Sequence, residues 1–298
     1  MPATSATTFC GTPMDAARSV ALERLFSRIS DVASLPATAQ RLVELTSQET
    51  PPVDEIRQVI ETDPAFLANL LRRVNSAYYG MAGRVTDARS AVSLLGVSEI
   101  RNLAMTIFLA KFTEKPSDYG TYRRSGLWTH CIAVGCAARL IAKATRTGLP
   151  DEAYVAGLLH DFGFILMDQF LPQHFRAILD EIDEHTPSPE VENRILTFDH
   201  AMLGGFVAGK WNFPQSAADA ITFHHRPLDY QGPHRCTLFA VVMANWLCSE
   251  LGHLSLGVAH RTRPDAEVFM GLNIDDASLA ELNTALRPEL EKVRGLVA

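Results

Sequence analysis

The sequence predicts an all-α protein, and three observations carry that reading. Apolar residues recur at helical rather than strand spacing along nearly all of the 298 residues. The Asn-Gly and Asp-Gly pairs that mark tight hairpins are missing. Capping and helix-starting residues such as Asp63-Pro64, Pro150-Asp151 and Pro214 stand ahead of apolar runs. With 47% hydrophobic and 20% charged residues, the chain has an ordinary globular composition, enough for one large domain or two packed subdomains.

Residues 1–20 are rich in Ala, Thr and Ser and read as a flexible tail; they lack the basic start and apolar run of a secretory signal. Asp63 can cap a helix whose first turn tolerates Pro64, with Phe66, Leu67, Leu70, Leu71, Val74 and Ala77 on one face. Asn75-Ser76-Ala77 and Tyr78-Tyr79-Gly80 read as a C-cap with packed aromatics. The alternative is a partner-binding surface anchored by Arg72, Arg73 and Arg101. Gly96 closes a helix, and Ser98 is placed to cap the next, in which Ile100, Leu103, Ala104, Ile107 and Phe108 repeat the pattern. The Pro, Ser, Asp and Gly of Lys115 to Gly120 mark a boundary between helical subdomains at 21–118 and 119–298.

Beyond that boundary, Leu127 to Ala144 forms a long apolar helix carrying His130. Pro150-Asp151 opens another, with Val155, Leu158, Leu159, Phe162 and Ile165 on its face and His160-Asp161 in its middle. His200 falls on a helix from about Val191 to Trp211, and Pro214 starts the helix that ends at His224-His225. From Cys236 to Leu251, Leu238, Val241, Val242, Asn245 and Cys248 share one side, so Asn245 is a polar residue on an apolar face. The last helix runs from Asp276 through Leu286 and is broken or kinked at Pro288.

The net charge of -7 and the mixed signs along the chain leave no basic stripe, which argues against nucleic acid as the main partner. No uninterrupted apolar stretch reaches membrane-spanning length, so no membrane is expected either. Cys10, Cys131, Cys136, Cys236 and Cys248 are odd in number and follow no CxxC spacing, which fits a reducing cytoplasm. His130, His160, Asp161, His200, His224 and His225 stand apart, because neutral imidazoles and a carboxylate delivered by several helices are the donors a transition metal requires. The other reading is a relic pocket in which these groups hydrogen-bond one another. His174, His185, His234, His253 and His260 are expected at the surface or in loops.

Several motifs occur in one order: Leu35-Pro36, Asp63-Pro64, Asn75-Ser76-Ala77, Ala91 with Leu94-Leu95-Gly96, and Leu127-Trp128-Thr129-His130. Gly157 to Asp161, Asp199-His200, Trp211-Asn212-Phe213-Pro214 and His224-His225 follow. On these motifs the chain resembles, from about Leu35 to its C-terminal helix, the bacterial HDOD proteins (HD-related output domain). These are the signalling branch of the HD superfamily of metal-dependent phosphohydrolases. The resemblance implies an HDOD fold, with an N-terminal helical bundle packed on a C-terminal HD-like helical subdomain.

Compared with the HD-GYP phosphodiesterases of the same superfamily, it also implies metal ligands at His130, His160, Asp161, His200, His224 and His225. The final Asp ligand of those enzymes falls on Asn245. Their phosphate-binding Lys falls on Phe164, directly after Gly163, and Arg226-Pro227 follows the His pair with no Gly-Tyr-Pro motif downstream. Arg226 is the local replacement for the missing phosphate contact. Two divalent ions would meet one formal negative charge, that of Asp161, which leaves a dinuclear site undercharged.

The expectation is therefore a non-enzymatic cytoplasmic signalling module. It acts through contacts with signalling proteins, and its degenerate pocket binds one or two transition-metal ions (Fe, Mn, Zn or Ni), a nucleotide or another small ligand. The alternative is a metal-dependent phosphohydrolase acting on a nucleotide or cyclic dinucleotide.

Overall fold

A computed structural model describes residues 8–9, 12–13, 16–30, 36–46, 48, 50–76, 78–81, 83–259 and 262–297. Leu35, Ala77, His260, Cys10 and most of the 1–20 tail lie outside the described residues. After a short hairpin, β1 (Thr8–Phe9) and β2 (Thr12–Pro13), come α1 (Ala16–Ser30), α2 (Ala37–Thr46), α3 (Val53–Glu61), α4 (Pro64–Val74), α5 (Ala88–Leu95) and α6 (Val97–Thr113). A second hairpin, β3 (Asp118–Tyr119) and β4 (Tyr122–Arg123), leads into α7 (Arg124–Thr145), α8 (Pro150–Leu159), α9 (Phe162–Phe170), α10 (Pro172–Glu181) and α11 (Ser188–Leu196). Then follow α12 (His200–Lys210), α13 (Gln215–Phe223), α14 (Arg235–Glu250), α15 (Ala266–Gly271) and α16 (Asp276–Val297). The fold is all-α; among the described residues its strands are confined to the two hairpins.

Two hydrophobic clusters organise the helices. Leu42, Ile56, Ile60, Leu70, Val74 and Ala91 form the smaller one, closed by Ile100, Leu103 and Ile107 of α6. The other side of α6, with Met105, Phe108, Leu109 and Phe112, enters the larger cluster built on α7, α8, α9, α12, α13 and α14. α6 is thus shared between both cores. Leu22, Leu25 and Ile29 of α1 also join the larger cluster, so the expected 21–118 unit gives its first helix to the C-terminal core.

Local signals explain most boundaries. Asp63 caps α4 by accepting the Phe66 N–H at 2.9 Å. Gly96, at φ 79°, turns the chain by 116° between α5 and α6. Ser98 is not the cap expected of it, because α6 starts at Val97 directly from that glycine. Asn75 caps the end of α4, with its amide bound to Leu71 O and Val85 O and its carbonyl accepting the Val85 N–H. Arg73 stacks over Trp128 at 5.8 Å and is half-buried, as is Arg101; of the three expected anchors only Arg72 is exposed. The Trp211-Asn212-Phe213 motif has a packing role: Asn212 takes φ 52° so that both rings turn onto Phe108 and Phe162.

Three sequence boundaries are corrected. The His160-Asp161 doublet lies at a break between α8 and α9, not in mid-helix. The helix expected over Val191–Trp211 is two, parted at Thr197 (φ 67°) and restarted by Asp199, whose carboxylate accepts the Met202 N–H at 2.7 Å. α16 continues through Pro288, because Leu286, Leu290 and Val293 stay buried on both sides of it and that burial outweighs the lost backbone bond. By length and composition α7 is apolar enough to cross a bilayer, but it is mostly buried within the fold.

Candidate metal centre

Every imidazole of the expected set reaches one place between the helices, and glycines make the approach possible. A side chain at Gly157 would lie 2.8 Å from Val134 O and 2.9 Å from Gly135, so α7 and α8 meet where only glycine fits. A Cβ at Gly163 would sit 1.9 Å from the carbonyl of His200. The first contact brings His130 against His160; the second brings the start of α12 against Asp161.

Asp161 stands between two groups of donors. Its Oδ2 is 3.5 Å from His130 Nε2 and 3.3 Å from His160 Nε2, which are themselves 3.4 Å apart. Its Oδ1 is 3.5 Å from His200 Nε2 and 3.6 Å from His224 Nε2. His224 Nε2 and His225 Nε2 lie 3.2 and 3.0 Å from His200 Nε2. Donors bonded to a common ion at ~2.0–2.2 Å are separated by roughly 3.0–3.5 Å in tetrahedral or octahedral geometry. The observed spacings match that edge length.

The opposite ring nitrogens fix the tautomers. His130 Nδ1 donates to His253 O at 2.8 Å, His160 Nδ1 to Gly157 O at 2.8 Å, and His224 Nδ1 to Ile221 O at 3.0 Å. A neutral imidazole with its proton on Nδ1 presents a lone pair at Nε2. The three Nε2 atoms face the Asp161 carboxylate. Burial would raise Asp161, but the imidazoles around it, His160 foremost, outweigh burial and hold it well below the usual carboxylate range. Burial also keeps His160 below its ordinary value and so neutral.

Glu192 was missed in the sequence. Fully buried on α11, it accepts from His200 Nδ1 at 2.8 Å and from the His200 backbone N–H at 2.5 Å. Burial pulls His200 down, yet the Glu192 carboxylate more than offsets this, and with protein groups alone the imidazole is pushed up to about 9. This is the carboxylate–histidine pair that orients metal ligands and raises their basicity. It also adds a second negative charge to the one counted for Asp161. The only sequence signal was an acidic residue eight positions ahead of His200, on a helix whose exposed residues are Glu190 and Arg194.

The remaining expected positions divide. Asn245 is half-buried and lines the same 460 Å³ cleft as Asp161, Phe164, His224 and His225. Phe164, 2% exposed, stacks on His200 with ring centroids 3.8 Å apart and planes 21° apart. Arg226 is not among the residues lining the cleft, and its guanidinium lies over Phe223 at 5.5 Å. The one arginine or lysine among the described residues lining the cleft is Arg263. Of the lone histidines, His174 and His185 are exposed, and His234 pairs with buried Asp219 at 2.8 Å. Cys131, Cys136, Cys236 and Cys248 are free thiols.

A match to the HDOD domain covers residues 32–227, which contains all six expected His/Asp donors and Glu192. The chain belongs to the HDOD family. An uncharacterized protein of Treponema pallidum (strain Nichols) is 27% identical over 220 residues, 73% of this chain, and the match spans only 42% of that protein's length. Among solved structures, a protein of Marinobacter aquaeolei VT8 described as a candidate signal transduction protein superposes with TM-score 0.79 at 24% identity, over 94% of this chain and 64% of that one. A candidate phosphohydrolase of Shewanella amazonensis SB2B superposes with TM-score 0.72 at 22% identity, over 92% and 98%. At these identities the superpositions establish a shared fold alone.

Proposed function

We propose that this HDOD chain is a bacterial, cytoplasmic regulatory module whose His/Asp pocket binds divalent transition-metal ions and signals through contacts with a partner protein. The observation that carries metal binding is the convergence of the His130, His160 and His224 Nε2 atoms on the Asp161 carboxylate at 3.3–3.6 Å. A cation is the group that makes this arrangement favourable. Asp161 Oδ2 with His130 and His160 would hold one ion; Asp161 Oδ1 with His200, His224 and His225 would hold a second. When bound, the ions supply Lewis acidity and a strong field for anionic oxygen. Glu192 holds His200 in register, and Phe164 shields the other face of that ring from water while offering no charge to a ligand. Asn245 contributes an amide where a hydrolase would use a carboxylate. These features support binding over turnover.

A second reading, a metal-dependent phosphohydrolase, is favoured by one feature: each oxygen of Asp161 faces its own set of imidazoles, as in two-ion hydrolysis. Assays of nucleotide and cyclic-dinucleotide hydrolysis with added Mn or Fe separate the two. The regulatory reading expects no turnover above background. Hydrolysis that disappears in Asp161→Ala overturns it in favour of the enzyme.

A further inference from the structure

We propose that Arg263 is the anion-recognition residue of the cleft, taking the oxygens of a phosphate group on a ligand bound beside the His/Asp cluster. This inference rests on the metal-binding reading above. Two divalent ions would bring four positive charges, whereas the buried carboxylates at the cluster are Asp161 and Glu192. The surplus favours an oxyanion as the additional ligand. The cleft beside the cluster is 460 Å³, in the range of small-molecule sites. Phe164 carries no charge, and Arg226 lies over Phe223 and does not line the cleft.

Arg263 does line the cleft, with Asp161, His224 and His225, and its guanidinium is held over the rings of Trp246 at 5.9 Å and Phe269 at 4.9 Å. Arg263 is exposed, and the two rings, with planes 68° apart, restrict its side chain at the cleft, where its fork of N–H donors suits phosphate. The acidic residues of the same cleft limit the ligand rather than exclude it. Asp183 spends one carboxylate oxygen on the His185 and Thr186 backbone N–H groups, both at 2.8 Å. Glu190 and Asp265 are exposed and repel a second anionic group. The ligand class is therefore inorganic phosphate or a compound bearing a single phosphate monoester.

The test is calorimetric titration of inorganic phosphate into the full chain, as purified after Mn loading and after chelation, for wild type, Arg263→Gln and Arg226→Gln. Metal content is measured in each sample. The expected result is a loss of phosphate affinity of about tenfold or more in Arg263→Gln, as for removal of a charge-assisted contact, with unchanged metal content and thermal transition. Arg226→Gln is expected to stay within about twofold of wild type. Wild type that binds no phosphate in either metal state overturns the proposal. So does Arg263→Gln that binds as tightly as wild type. Phosphate binding that depends on Arg263 in a chain that takes up no metal would uphold this assignment and overturn the metal-binding reading, so the two failures are distinct.

Discussion

Glu192 grips His200 from behind: its carboxylate accepts the ring Nδ1 proton at 2.8 Å and the backbone N–H of the same residue at 2.5 Å. One side chain thus sets both the position of the imidazole and which ring nitrogen faces the cluster. Outer carboxylates of this kind change metal affinity by roughly 10–100-fold when removed. Glu192→Gln is expected to weaken metal binding by about that factor, read by competitive titration with a chelating dye, while the circular dichroism spectrum stays that of wild type.

The approach of α9 to α12 depends on the absence of a single methyl group. A Cβ at Gly163 would lie 1.9 Å from His200 O, far inside contact distance. Gly163→Ala is expected to destabilise the chain by about 2–3 kcal/mol or more, because rigid backbone must move on both helices. Urea unfolding measures it. An unchanged midpoint would mean that the two helices are not packed as described.

The two subdomain cores are joined by a polar link as well as by α6. Glu99 of α6 accepts from Tyr79 at 2.6 Å and from Arg139 of α7 at 2.7 Å, and Arg139 reaches Asp151 of α8 at 2.9 Å. Glu99 is 6% exposed and Arg139 only partly buried, so the ion pair is worth less than a fully dry one. Glu99→Ala is expected to cost about 2 kcal/mol, chiefly from the stranded Tyr79 hydroxyl and the half-stranded guanidinium. Because α7 carries His130 and α8 ends directly before His160, the same variant should weaken metal binding; equal affinity in wild type and variant would show that the link is structural only.

Acid should remove one helix cap before it unfolds the core. The Phe66 N–H and the Thr38 hydroxyl at Asp63 hold that carboxyl below its ordinary value. A depressed carboxyl stabilises the fold above its unfolded pKa of about 3.9 and loses that contribution as pH falls through the lower folded value. Asp63→Ala is expected to cost about 1 kcal/mol near neutral pH, and the difference from wild type should shrink below about pH 4. Unfolding curves at pH 7 and pH 3 check the sign.

Much of this was legible in the chain. His130 and the two doublets stand out because each lies on or beside an apolar helix, where an unpaired imidazole has no ordinary reason to be buried. The break at His160-Asp161 was not legible, since apolar residues continue on both sides of it and periodicity does not register a change of direction. Pro288 read as a break or kink because propensity speaks locally, whereas Leu290 and Val293 are buried on a helix that packs against α7. Glu192 was hidden among ordinary surface carboxylates, and Arg263 lies in a loop with no periodicity to mark it. Side chains that act on the ligands from outside the motif are visible only once the helices are assembled.

The central claim is that the His/Asp pocket holds metal. Elemental analysis of the untagged chain, purified without chelator, tests it most directly when set beside Asp161→Ala prepared in parallel. The account predicts a stoichiometric transition metal in wild type and background levels in the variant, with both chains folded. Wild type at background, even after incubation with Fe, Mn, Zn and Ni, would contradict it.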